Sequence, residues 1–218
     1  MAQIDDMEAA LSLERFGRYV TWAGGDRERA LELYTLNTQV SEALYIALQT
    51  LEISLRNRIH SSMALMHGEW WFEQTDLMRV SHQAAQVADA IDELEANGKE
   101  PTPGRIVAAL SFSFWTAMFS PAYEPLWRST LHAIATRDGK GLARKDFSRP
   151  LTQIRLLRNR IAHHEPVLHW DLRRHHKALR ELTQWLSPPA HAWSAPLDRF
   201  EAIYPAEGII LARAIAED

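Results

Sequence analysis

Cysteine is absent from the 218 residues. Its absence excludes disulfides, thiol nucleophiles and thiolate metal sites, and fits a cytoplasmic protein. No run of about 18 apolar residues occurs, so no membrane span is expected. Met1 to Glu14 is acidic and mixed, with neither a basic nor an apolar leader region, so no signal peptide is expected. No glycine-rich phosphate loop is present, which leaves ATP use without support, and Gly24-Gly25 reads only as a helix stop. The His-Glu-x-x-His spacing of helical zinc sites is also missing. His163, His164, Glu165, His169, Asp171, His175 and His176 crowd one region, but adjacent His175 and His176 point about 100° apart on a helix and chelate poorly. No metal and no cofactor is expected.

What is present allows an ordinary globular core: 46% of residues are hydrophobic, with eight tryptophans as large anchors. The net charge of −4 argues against a protein that coats nucleic acid nonspecifically. The charge is unevenly spread. Arg137 to Arg180 holds twelve basic against four acidic residues, whereas residues 1–50 hold four against eight. A local phosphate-facing site and an acidic face docked on a basic one are both open on charge alone.

Helical spacing dominates, with almost no period-2 alternation, so the expected fold is all-α: one domain over 1–218, with a core of about 8–186 and a C-terminal extension over 187–218. Met7, Leu11, Leu13, Phe16 and Val20 place a first helix over 6–22. Asp26 is a candidate N-cap. From Leu33 to Ile59, apolar residues recur every three or four positions, predicting one long helix, or two with a kink, over 27–66. Further helices are expected over 79–96, 105–120, 126–135 and 171–186, with short ones beyond 190. Loops are expected at 97–104 and 138–141. Trp70-Trp71-Phe72 reads as a core plug, and Phe112, Phe114 and Trp115 as core or dimer packing.

The stretch that needs a reason is Arg155 to His164, ten residues with three arginines, an asparagine and two histidines. Pro150 is expected near the start of its helix, and Pro166 closes it. At about 100° per residue, Leu151, Ile154, Leu157 and Ile161 form the core face. Arg158, Asn159 and His163 then share a surface, with Arg155 between them, while His164 falls back as structural and Arg160 lies on the far flank. Arginine offers a planar fork of donors to phosphate oxygens, and histidine titrates near neutrality. Together they suit metal-free RNA cleavage, with His163 as base toward a 2′-hydroxyl and Arg158 stabilising the developing charge. One copy of the motif lacks a second acid, so a two-fold homodimer is the natural completion. The plainer reading is a basic helix end whose cations complement the helix dipole. Leu55-Arg56-Asn57-Arg58-Ile59-His60 echoes the stretch 102 residues earlier. A local Glu52–Arg56–His60 ladder is the default there; Arg56 and His60 are the candidate wall of an RNA cleft, with Arg155.

Arg158-Asn159-Arg160-Ile161-Ala162-His163 resembles the Arg, polar residue, three others, His pattern of HEPN ribonucleases. The run Arg158 to Pro166, with Leu110-Ser111-Phe112-Ser113-Phe114-Trp115, Leu126-Trp127-Arg128 and Leu51-Glu52-Ile53-Ser54-Leu55-Arg56-Asn57, resembles the Abi-like (abortive infection) branch of that superfamily over roughly residues 10–185. Ser113 stands where many relatives carry glycine. The resemblance implies a HEPN-like helical bundle with additional helices that forms a homodimer. It also implies metal-independent endoribonuclease activity in phage defence or as a toxin, leaving a 2′,3′-cyclic phosphate. Arg158 and His163 would be catalytic and Asn159 would orient them. An antitoxin or regulatory protein would be a further partner. The alternative is a non-catalytic HEPN-type dimer that binds RNA, a nucleotide or a protein.

Overall fold

The structure, a computed structural model, describes residues 9–11 and 13–212. Met7, the first apolar position assigned to the opening helix, lies outside the described residues. Helix α1 (Leu13–Trp22) ends at Gly24 and Gly25, whose φ values of 66° and 92° lie in the left-handed region. Asp26 caps the next helix, its carboxylate accepting from the backbone N–H of Glu28 at 2.9 Å and of Arg29 at 3.0 Å. That helix, α2 (Arg27–His67), is unbroken for 41 residues, about 60 Å. It is the spine of an all-α fold. Leu33, Val40, Leu44, Leu51, Leu55 and Ile59 on it are almost completely buried, as the spacing requires.

After α2 come α3 (Ser81–Ala96), α4 (Pro103–Ala109), α5 (Phe112–Ala117) and α6 (Glu124–Ser129). The single helix expected over 105–120 is therefore two. Leu110 and Ser111 are both extended, with ψ of 135° and 160°, and the Ser111 hydroxyl caps α5 by accepting from the Phe114 N–H. The break turns Phe112, Phe114 and Trp115 into the core, where Trp71 meets the last two rings. Trp71 and Phe72 form the expected plug; Trp70 does not, being 44% exposed. The helix expected over 126–135 stops at Ser129 and gives way to a 3-10 turn at Leu131–Ile134. The loop expected over 138–141 is half strand: β1 (Thr136–Arg137) pairs with β2 (Lys140–Gly141) in a small antiparallel hairpin, leaving only Asp138-Gly139 as the turn. Asp138 and Gly139 both have positive φ, as a two-residue hairpin turn demands.

Helix α7 (Arg144–Ala162) carries the arginine-rich stretch. It begins six residues before Pro150, so that proline is interior rather than near the start. The start is hard to read because the N-cap is Ala143; the Asp146 carboxylate reaches back to the Ala143 N–H at 2.8 Å. Leu151, Ile154 and Leu157 are buried and set α7 against α5 and α8 (Leu172–Leu186). Each contributes roughly 1.5–3 kcal/mol by burial. Two short helices follow, α9 (Pro188–Ser194) and α10 (Phe200–Ile203). Phe200 is fully buried and stacks on His176, whose Nε2 lies 2.6 Å from Asp198 Oδ2. Burial raises the Asp198 carboxyl, but the Phe200 N–H, His176 and Arg180 outweigh it and hold it below the usual range.

A second apolar cluster of Phe16, Tyr19, Ala30, Leu33 and Leu168 joins α1 to the start of α2. Among the described residues, no helix is long and apolar enough to cross a membrane.

His60 is packed beside Trp71 and accepts the indole N–H at Nδ1, 3.1 Å away. Burial lowers its pKa, only partly offset by Glu69. A lowered imidazole pKa means that the fold prefers the neutral ring. The stability it contributes is present above the unfolded value near 6.5 and lost as pH falls through the folded one. Thermal midpoints measured from pH 7.5 to 5.5 will fall, and His60→Gln, which keeps an acceptor for Trp71, will flatten that slope. His169 and His191, lowered in the same direction, keep the slope from vanishing. Equal slopes for parent and variant would contradict this role.

Candidate functional site

Helical arithmetic fails at the end of α7 because the helix stops at Ala162. The Glu165 N–H donates to the Arg160 carbonyl at 2.8 Å and the His164 N–H to that of Ile161 at 3.0 Å. This 6→1, 5→2 pair is a Schellman stop. Its left-handed position, usually glycine, is occupied by His164 at φ 57°. His164 is therefore swung off the helix rather than returned to the core face, and it is exposed. His163, the C-cap, is also exposed, and its ring makes no hydrogen bond among the described residues.

The chain beyond is stitched down. Asn37, buried on the apolar face of α2, accepts the Val167 N–H at 2.8 Å. Arg160 lies 3.3 Å from both the Pro166 carbonyl and a Glu165 carboxylate oxygen, and its guanidinium sits over Trp170. Arg160 is thus a strut for the loop, as its peripheral position on the helix suggested.

The two flanks of α7 open on different clefts. One, of about 930 Å³, lies between α2 and the end of α7. Arg158 and His164 line it, facing Tyr45, Glu52 and Arg56 from α2. Arg158 Nε is 3.7 Å from Glu52 Oε2, an ion pair too long for a hydrogen bond, worth about 0.2–1 kcal/mol at this partial exposure. It orients the guanidinium without sequestering it. The other cleft, of about 1270 Å³, holds Asn159 and Arg155. Within the chain, then, Arg158 shares its cleft with His164, while Asn159 opens on the opposite side.

The echo on α2 divides likewise. Arg56 lines the Arg158 cleft and reaches toward the Ala108 carbonyl at 3.5 Å. Arg58 donates to the Ile134 carbonyl, and His60 is turned to Trp71. The local Glu52–Arg56–His60 ladder is not formed, because Glu52 reaches across to Arg158 instead.

The histidine-rich stretch is equally dispersed. His169 accepts from the Trp170 indole at 3.0 Å, His175 bonds the Asp171 carbonyl, and His176 is buried on Asp198. Burial, then the Arg160 and Arg18 charges, hold His169 below the usual imidazole range. Among the described residues, no group of three or more His, Asp or Glu is placed to hold a metal ion.

A family model described as Abi-like protein matches residues 9–169. The chain belongs to the Abi-like protein family. That membership suggests a function related to abortive infection. The match takes in α2, α5, α6 and the whole of α7, so every segment that carried the resemblance falls within it. It ends at His169, short of the 185 read from sequence, leaving α8 to α10 outside. No curated protein and no solved structure matches the chain.

Sequence reading missed three contributors in this Abi-like chain. Asn37 had a signal: an amide between Leu33, Leu36 and Val40. Glu52 was visible only as a neighbour of Arg56. His164 was set aside because the helix was taken to continue through it.

An L-residue at the left-handed position is strained, and glycine is not. His164→Gly will therefore raise unfolding stability by about 0.5–1 kcal/mol in urea titrations. A loss of that size would mean that the imidazole packs more favourably than its backbone costs.

Proposed function

We propose that this Abi-like protein is a metal-independent endoribonuclease of the phage-defence or toxin type, built on a HEPN-like bundle and acting as a homodimer. The observation that carries the reading is the junction of Arg158 and an imidazole in one cleft. His164 lines that cleft with Arg158, and the adjoining His163, which lines neither cleft, has a ring with no hydrogen-bond partner among the described residues. His163 takes the proton of a 2′-hydroxyl, and that oxygen attacks the adjacent phosphorus in line. The P–O2′ bond forms, the P–O5′ bond breaks, and His164 protonates the departing oxygen. Arg158 stabilises the negative charge that builds on the phosphoryl oxygens. The products are a 2′,3′-cyclic phosphate and a 5′-hydroxyl. The second acid that one motif was expected to lack is thus supplied by the residue next in sequence.

Homodimerisation is supported by the same cleft. Tyr45 and Ile53, two turns apart on α2, are 59% and 39% exposed there, an apolar rim that a second copy would cover.

The second reading, a non-catalytic HEPN-type dimer that binds RNA, a nucleotide or a protein, draws on one observation: Asn159, the polar motif residue, does not share the Arg158 cleft. Cleavage of mixed RNA by protein purified in EDTA separates the two. Arg158→Ala and His163→Ala will each lower the rate about 100-fold or more. Binding without cleavage, lost in Arg158→Ala and kept in His163→Ala, would establish the module instead.

A further inference from the structure

The second cleft is the larger and has no part in the chemistry above. Its walls come from α3, α5, α7 and α8. Lys145, Arg149, Arg155 and Arg174 line it, and no carboxylate pairs with any of them among the described residues. Arg144 also lines it but is committed to Glu124 and to the Phe119 carbonyl. The only carboxylate in the lining is Asp171, whose side chain caps α8 through the Arg174 N–H. A chain with more acids than bases has therefore left four cations unpaired around one concavity. Such an arrangement repels itself and focuses positive potential, a cost that bound negative charge removes.

The shape of the cleft narrows the ligand. From Lys145 to Asn159 the α7 wall runs about 20 Å, far longer than a single phosphate ion. Protein interfaces need an apolar centre. The large exposed apolar residues, among them Tyr45, Ile53, Trp70 and Trp193, lie elsewhere, and none lines this groove. Cations interleaved with glutamine, serine and threonine donors suit a phosphodiester backbone instead. No exposed phenylalanine, tyrosine or tryptophan lines the groove to stack on bases, so the contact is chiefly with phosphates and tolerates sequence. At one end stands Asn159, next in the chain to Arg158.

We infer that this groove is the track on which a single RNA strand is held by its phosphates and led to the end of α7. Lys145, Arg149, Arg155 and Arg174 are the phosphate-contacting cations. The choice of RNA rests on the ribonuclease reading; the anionic character of the ligand does not.

The test uses a fluorescent 12-nucleotide oligouridine carrying 2′-O-methyl groups throughout, so that binding is measured on a strand that cannot be cut. Anisotropy is followed in EDTA across a salt series with the full chain. Replacing Arg149, Arg155 and Arg174 together by alanine will weaken binding roughly 10- to 100-fold and lower the log–log salt slope by about 2, at ~0.7 per phosphate contact on a single strand. Lys177→Ala, removing an exposed α8 cation outside the groove, will leave affinity within about twofold. Unchanged affinity and slope in the triple variant would overturn the inference. So would a parent protein that binds polyglutamate or RNA duplex but not the single strand. The two proposals fail separately. Cleavage of natural RNA by a triple variant that binds as the parent does would remove the groove and leave the nuclease. Groove-dependent binding with no cleavage of natural RNA would remove the nuclease and leave the groove.

Discussion

The burial of one narrow stripe of α7 sets everything else. Leu151, Ile154 and Leu157 lie flat on the core, and that contact fixes the rotation of the helix about its axis. Once it is fixed, the side chains on either flank have no freedom of direction. Arg158 must open toward α2, and Arg155 and Asn159 toward the groove with α8. The stripe is held at its far end by Asn37, which ties Val167 to the spine helix and keeps the loop after the motif from lifting. A buried asparagine left without that partner would cost about 1–3 kcal/mol, so loop and spine are coupled.

The way α7 stops matters as much as the way it packs. A glycine at position 164 would make the same Schellman turn without strain. Histidine there stores backbone strain and turns an imidazole toward the cleft that holds Arg158. Strain retained at a position where a better residue exists is a pointer to use rather than to folding. Glu52 belongs to the same design. It lies in one of the segments that carried the family resemblance, and its contact brings residues 52 and 158 together from opposite halves of the chain.

Much of the architecture was legible because it rests on local rules. The 41-residue spine follows from its spacing and its Asp26 cap, and the Gly24-Gly25 stop from glycine's tolerance of positive φ. The buried face of α7 was readable from Leu151, Ile154 and Leu157. What escaped was decided by non-local contacts or by the absence of an expected signal. Ser111 splits an apolar run because the rings of Phe114 and Trp115 are drawn to Trp71, far away in sequence. Ala143 starts a helix with no capping side chain of its own. The grouping of Arg158 with Asn159 followed from adjacent positions on one helix, and the packing of α2 on one side and α8 on the other separated them. His164 was misplaced by assuming two more helical residues than exist.

The proposed chemistry has a specific core: an arginine and two adjacent histidines at one helix end, placed to act on a phosphodiester with the ribose hydroxyl as nucleophile. The chemistry of the cut ends tests it most directly. RNA carrying a single 2′-deoxy substitution at a mapped cleavage position is incubated with the protein in EDTA, and the products are identified by mass. Attack by the ribose hydroxyl will leave 2′,3′-cyclic phosphate and 5′-hydroxyl ends on all-ribose RNA, and no cut at the substituted position. Cleavage at the deoxy position, or 5′-phosphate ends, would contradict it.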